Sequence, residues 1–250
     1  MATTFTKAVR LASAFARADF GNAAVLNDPS GLTYIIGYRA PSGASAGNLI
    51  SKNADNSVNA GYAVPLFPTG SNFYTDMTFS RTTTKSVFRV NPLVAQATWA
   101  WLAVTLDRST FAVKAYAASY GASLTDTSAA DIVPGSGTST TDATWTLTLG
   151  SNGVNQGPLN PMECFFLGRW NSVLSLATIN SYCSDMEANG KASSVLYVKP
   201  TAADTGSLPD LSGQGNNGTY SGTTSIVDGP DTASSIAAIS SGYHVRNINR

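Results

Sequence analysis

Glycosidic-bond hydrolysis usually needs two carboxylates flanking the scissile bond. This chain has only two glutamates, Glu163 and Glu187. Glu163 falls in a predicted strand and Glu187 in a predicted helix, and no predicted strand carries acids at i and i+2. No catalytic residue is therefore assigned, and the protein is not expected to be an enzyme. The single histidine, His244, lies near the end of the sequence, so a Ser-His-Asp triad inside a core is not expected either. Cys164 and Cys183 fit no zinc spacing, and one histidine leaves no ligand cluster. They read as two buried thiols in preference to a disulfide. Calcium needs six to eight oxygens. Asp28, Asp55, Asp76 and Asp210 are scattered candidates, so no metal ligand is assigned and no cofactor is expected.

Binding is the other chemistry open to polar side chains held on a rigid scaffold. Two clusters stand out. Asn53, Asp55 and Asn56 fall in a polar loop, and Tyr74 and Asp76 lie two residues apart. A solvated loop explains the first cluster as well, and plain strand positions explain the second. Trp99, Trp101, Trp145 and Trp170 could stack on sugars. All four fall in predicted strands, where they read as core aromatics. The Gly/Asn run 213–218 superficially resembles a phosphate cradle. It lacks a lysine and a following helix, so it reads as a structural turn.

The elements that must position these residues are mostly strands. In the run 99–116, Leu102, Val104 and Leu106 alternate with Trp101, Ala103 and Thr105, which is the period of a pleated strand. Polar turn formers at 107–110 follow, and a second alternating run returns, so the stretch predicts a hairpin with a four-residue connection. Apolar residues on both faces place it inside a layered structure. Further strands are predicted at 32–38, 48–52, 61–67, 73–81, 86–90, 145–149, 162–170 and 194–198. A turn is expected at 68–70, and the segment 8–25 reads as an early strand followed by a loop. A helix is predicted over 174–190, where Leu176, Ile179, Tyr182, Cys183 and Met186 form an apolar stripe and Gly190 is placed to stop it. Many strands, one short helix and no βαβ alternation predict an all-β, two-sheet antiparallel sandwich.

Length fits one domain, taken as 1–230, with a polar C-terminal arm over 231–250. Of the 250 residues, 12% are charged, about half the usual share. There are 15 basic and 15 acidic residues, neither sign clustered. No basic stripe marks a nucleic-acid surface. No run approaches the roughly 20 apolar residues of a membrane span, and 1–20 does not read as a secretory leader. Zero net charge gives little repulsion between copies, which favours association.

The order of several short motifs resembles the concanavalin A-like, laminin-G-like jelly-roll domains. The run Leu32-Thr-Tyr-Ile-Ile-Gly-Tyr-Arg-Ala-Pro41 is followed by Gly47-Asn-Leu-Ile-Ser-Lys52. Trp99-x-x-Leu102-Ala-Val precedes Lys114-Ala-Tyr116. Phe166-Leu-Gly-Arg-Trp170 stands before the predicted helix, and Asp210-Leu-Ser-Gly-x-Gly-Asn-x-Gly218 comes late in the chain. The resemblance implies a jelly-roll sandwich, and no ligand residue is carried over from it. Domains of this kind that are poor in charge and rich in Ser, Thr and Gly resemble those of bacteriophage structural proteins. The expected role is a non-enzymatic virion protein, decorating a capsid or attached to a tail or fibre, with a lectin-like domain for host-surface glycans. Its expected partners are capsid or tail proteins and copies of itself. It would be made in the host cytoplasm and reside in the virion. The alternatives are a secreted or cell-surface carbohydrate-binding module, which would be extracellular, and a glycan-cleaving enzyme.

Overall fold

A computed structural model describes residues 2–13, 15–27, 29–52, 61–81, 85–90, 95–127, 130–133, 135–136, 145–151 and 161–232. The candidates Asn53, Asp55 and Asn56, together with Asp28 and the segment 233–250, lie outside the described residues.

The strands are β1 (Lys7–Leu11), β2 (Arg17–Asp19), β3 (Gly31–Arg39), β4 (Gly47–Lys52), β5 (Tyr62–Thr69) and β6 (Asn72–Phe79). They continue as β7 (Ser86–Val90), β8 (Ala100–Asp107), β9 (Ala112–Ser119), β10 (Thr125–Asp126), β11 (Ala130–Val133) and β12 (Thr148–Gly150). The last are β13 (Met162–Trp170), β14 (Leu196–Val198), β15 (Ser207–Leu208), β16 (Gly218–Ser221) and β17 (Thr224–Asp228). Every pairing is antiparallel. The first sheet runs β10-β9-β8-β3-β13-β1-β17, with β14 also on β13. The second runs β11-β7-β6-β5-β4-β12-β2-β16-β15.

Alternation decides what each face buries. In β8, Leu102, Val104 and Leu106 enter the core between the sheets, while Trp101 and Ala103 enter a second core on the far side of the first sheet. The hairpin predicted over 99–116 is therefore β8 and β9, inside a layered structure as its two apolar faces require. The second core is roofed by helices α1 (Leu176–Ser184) and α2 (Met186–Asn189). Ile179 and Met186 are its fully buried anchors, with Leu176, Tyr182 and Cys183 packed beside them. The helical stretch is thus in two pieces, not one. It breaks at Asp185, whose carboxylate accepts the Ala188 N–H and caps the second piece.

A strap over residues 2–6 completes the roof. Phe5 sits against Trp101, Tyr120, Phe165 and Phe166 with ring centroids 5.1–6.3 Å apart. Asp231 holds the strap down, because one of its carboxylate oxygens accepts both the Phe5 N–H at 2.8 Å and the Tyr120 hydroxyl at 2.6 Å. Further along, the Thr3 hydroxyl donates to Asp185 at 2.7 Å and accepts the Glu187 N–H at 2.7 Å. The Thr3 bond holds the Asp185 carboxyl below the ordinary carboxylate range, and the Lys199 ammonium does the same for Glu187. Both groups therefore stabilise the fold above the ordinary carboxylate pKa, and that stabilisation is lost as pH falls through their lowered values. Below about pH 4, the Ala188 amide is expected to lose protection before the core strands do. Hydrogen exchange corrected for intrinsic rates checks this, and simultaneous loss everywhere would contradict it.

Two expectations are corrected. Trp99 and Trp145 lie just outside the strands, although Trp101 and Trp170 lie within them. The Trp145 carbonyl accepts from the Lys52 ammonium at 2.6 Å, so it is not spent on a sheet ladder. The turn expected at 68–70 is shorter. Pro68 and Thr69 stay in β5, and Gly70, at φ 56°, makes a tight connection with Ser71. Cys164 and Cys183 are free thiols, each pushed up to about 12 by burial. No helix among the described residues is long and apolar enough to cross a membrane.

Candidate functional site

The two sheets differ in what covers their outer faces. On the first sheet, the helices and the strap cover much of it. On the second, the core-facing row is Ala18, Leu149, Ile50 and Val64 on neighbouring strands. The row beside it, on the face turned away from the core, reads Thr219, Asp19, Thr148, Ser51, Ala63, Thr78 and Val87. That face is polar where the opposite one is apolar.

Toward one end of this face, Tyr74 and Asp76 point the same way, as i and i+2 in β6 must. The register places Phe67 of β5 opposite Tyr74, and Arg89 of β7 opposite Asp76. The Phe67 and Tyr74 rings stack with centroids 5.0 Å apart and planes 20° apart. Arg89 donates through Nε and Nη2 to the two Asp76 oxygens, each at 2.6 Å. Its guanidinium carbon lies 5.0 Å from the Tyr74 ring centroid. The Asp76 bonds favour the charged form of Arg89 and raise its pKa. Arg89 is exposed and the other three are half-buried, so the cluster forms an amphipathic platform of two stacked rings beside a forked ion pair.

Two buried polar groups lie near the platform on the same face. Asn48 pairs with Pro65 across β4 and β5 and is fully buried, yet neither atom of its side-chain amide has a hydrogen-bond partner. The Thr78 hydroxyl, one pleat along β6 from Asp76, is also buried without a partner. Such groups are uncommon in native interiors and mark places where polar partners are incomplete. Toward the other end of the face, Arg17, Asp19, Gly21, Asn217, Thr219 and Ser221 help to line a recess of about 560 Å³.

Other clusters are committed to the fold. Glu163 is 4% exposed and accepts from Arg39 Nε at 2.6 Å, with Arg10 at 4.0 Å on its other oxygen. Arg39 in turn covers the Trp99 ring at 4.2 Å. Glu187 pairs with Lys199 at 2.9 Å. Asp210 spends its carboxylate on three backbone N–H groups of Tyr197, Ser212 and Asn216, so the Gly/Asn loop is a structural turn. Among the described residues, no group of three or more His, Cys, Asp or Glu side chains could hold a metal ion.

Of the five ligand candidates read from sequence, the structure brings Tyr74 and Asp76 together. Phe67 and Arg89 complete the cluster and are absent from the sequence reading. A signal for Phe67 existed: a two-residue turn at Gly70-Ser71 pairs Phe67 with Tyr74. Arg89 had none, because the register of β6 and β7 is set across a longer connection.

No protein-family model and no curated protein sequence matches the chain. Solved structures do. One is a Bacteroides ovatus protein provisionally assigned to carbohydrate binding, at 15% identity and a TM-score of 0.60, covering 90% of this chain. This chain spans 60% of that protein. A second is the heptameric SAP-like pentraxin of Limulus polyphemus, at 10% identity and a TM-score of 0.50, covering 74% of this chain and 84% of that one. A third is tailspike protein 2 of the Escherichia coli O157:H7 bacteriophage CAB120, at 13% identity and a TM-score of 0.49, covering 73% of this chain and 25% of that one. At these identities the likeness is one of fold. The chain is a two-sheet antiparallel jelly-roll sandwich of the concanavalin A-like kind.

Proposed function

We propose that this protein is a non-enzymatic carbohydrate-binding domain whose ligand rests on the Phe67–Tyr74–Asp76–Arg89 platform. The observation that carries this reading is the stacked aromatic pair beside a forked, partly exposed ion pair. Sugars present an apolar C–H face and a polar hydroxyl rim, and such a platform offers a counterpart to each. The provisional assignment of the Bacteroides ovatus protein to carbohydrate binding supports the same reading. The non-enzymatic part rests on the glutamates. Each is held in its own ion pairs, on separate elements and away from the platform.

The test is a glycan array followed by affinity measurement on the best hits, with Tyr74→Ala and Phe67→Ala as variants. Each variant is expected to weaken binding about tenfold or more, as loss of a central aromatic contact does. Neither ring belongs to the buried cores, so the unfolding midpoint should hardly move. Wild-type protein that binds no glycan, or variants that bind as well as wild type, would overturn the reading. Release of reducing sugar from a bound polysaccharide would overturn the non-enzymatic part.

A second reading sets this domain in a virion, as a capsid-decorating or tail-associated protein assembled with copies of itself. Zero formal net charge and a 12% charged share favour close association. Mass spectrometry of purified particles, asking for this protein and its copy number, decides it.

A further inference from the structure

We infer that the platform selects neutral, hydroxyl-rich sugars and rejects acidic ones, an inference that rests on the carbohydrate-binding reading above. Charge comes first. Asp76 and Arg89 cancel one another through two parallel hydrogen bonds, both at 2.6 Å. The rings beside them, Phe67 and Tyr74, and Thr78 and Val87 on the adjoining row add no formal charge. A carboxylated or sulfated sugar would find the Nε–Nη2 fork of Arg89 already occupied by Asp76. To take the fork it must displace a bidentate partner, and it would then sit beside the carboxylate it displaced.

Hydrogen-bonding capacity points the same way. A guanidinium has five N–H donors, and two of Arg89's are spent on Asp76. A carboxylate accepts about four hydrogen bonds, and Arg89 supplies two of Asp76's. The closed pair therefore keeps donors on one side and acceptors on the other. A hydroxyl can donate and accept at once. Two adjacent ring hydroxyls match this rim, one accepting from Arg89 and the other donating to Asp76. An anionic substituent, which only accepts, leaves the Asp76 acceptors unanswered and repelled. The stacked rings then serve the C–H face of the same sugar.

Two matched oligosaccharide panels test this, one of neutral hexoses and one carrying carboxylates, titrated at about 0.05 and 0.5 M sodium chloride. Wild type should bind the neutral panel, with affinity changing less than about twofold over that salt range, because no net charge pairs form on binding. It should bind the carboxylated panel about tenfold more weakly or worse. Asp76→Asn opens the fork and leaves Arg89 uncompensated. It should lose about tenfold for neutral sugars and gain salt-sensitive binding to carboxylated ones. Arg89→Lys keeps the charge and loses the fork, and should weaken neutral binding without that gain. Equal or better wild-type binding of the carboxylated panel would overturn the inference and leave carbohydrate binding standing. So would salt-sensitive binding of the neutral panel, or variants indistinguishable from wild type. Binding of neither panel would overturn both. If Asp76→Asn proves unfolded, the wild-type salt comparison and Arg89→Lys decide alone.

Discussion

Phe5→Ala is expected to lower unfolding free energy by about 3–5 kcal/mol, the usual loss for a buried phenylalanine. Phe5 is 2% exposed although it precedes the first strand. Its ring makes edge contacts with Trp101, Tyr120, Phe165 and Phe166, and such contacts add to the area it buries. Truncation leaves a hole between the strap and the first sheet, floored by rings that cannot collapse into it. Small domains are stable by about 5–15 kcal/mol in all, so the variant would approach the folding threshold. Urea denaturation measures the loss, and Phe5→Leu should recover some of it. A loss below about 1 kcal/mol would mean that the strap does not seal the second core.

Asp210→Ala should cost about 2–5 kcal/mol, since each orphaned buried donor costs about 1–3 kcal/mol. Asp210 accepts from the N–H groups of Tyr197 and Ser212 at 3.0 Å and of Asn216 at 2.9 Å. The Tyr197 and Asn216 bonds are the buried ones. The Asn217 side chain accepts the Asp210 N–H at 2.8 Å in turn, so one carboxylate organises the whole loop between β15 and β16. Asp210→Asn keeps an acceptor oxygen and should cost less. If alanine and asparagine variants unfold at the same urea concentration as wild type, the loop does not depend on this carboxylate.

Both residues show what sequence can and cannot reveal. Strands 86–90 and 162–170 are legible to the residue, because dense apolar runs there end at polar or small residues. The apolar stripe that buries Ile179 and Met186 is legible from helical spacing alone. Phe5 is not, since an isolated aromatic in a polar stretch has no period, and its cage is assembled from residues far along the chain. The break at Asp185 is hidden because the stripe runs straight across it. For the candidate site, Tyr74 and Asp76 can be noticed as an i, i+2 pair. That Asp76 is paired with Arg89, and so presents no net charge, depends on the strand register between them. Trp99 reads as a strand residue because it abuts one, but the ladder between β3 and β8 ends at the Tyr38–Ala100 pair.

The strap and the segment 229–232 lie side by side. The Gly229 N–H donates to the Thr6 carbonyl, and the Asp231 N–H donates to the Phe5 carbonyl. They continue the antiparallel pair of β1 and β17, in which Lys7 stands opposite Asp228. Tension applied between residues 2 and 232 would therefore load this pair at its open end. The bonds would break in sequence, like a zipper, and never share the force as they would in shear. The first yield would free the strap and open the aromatic layer beneath it while the central sandwich stays intact.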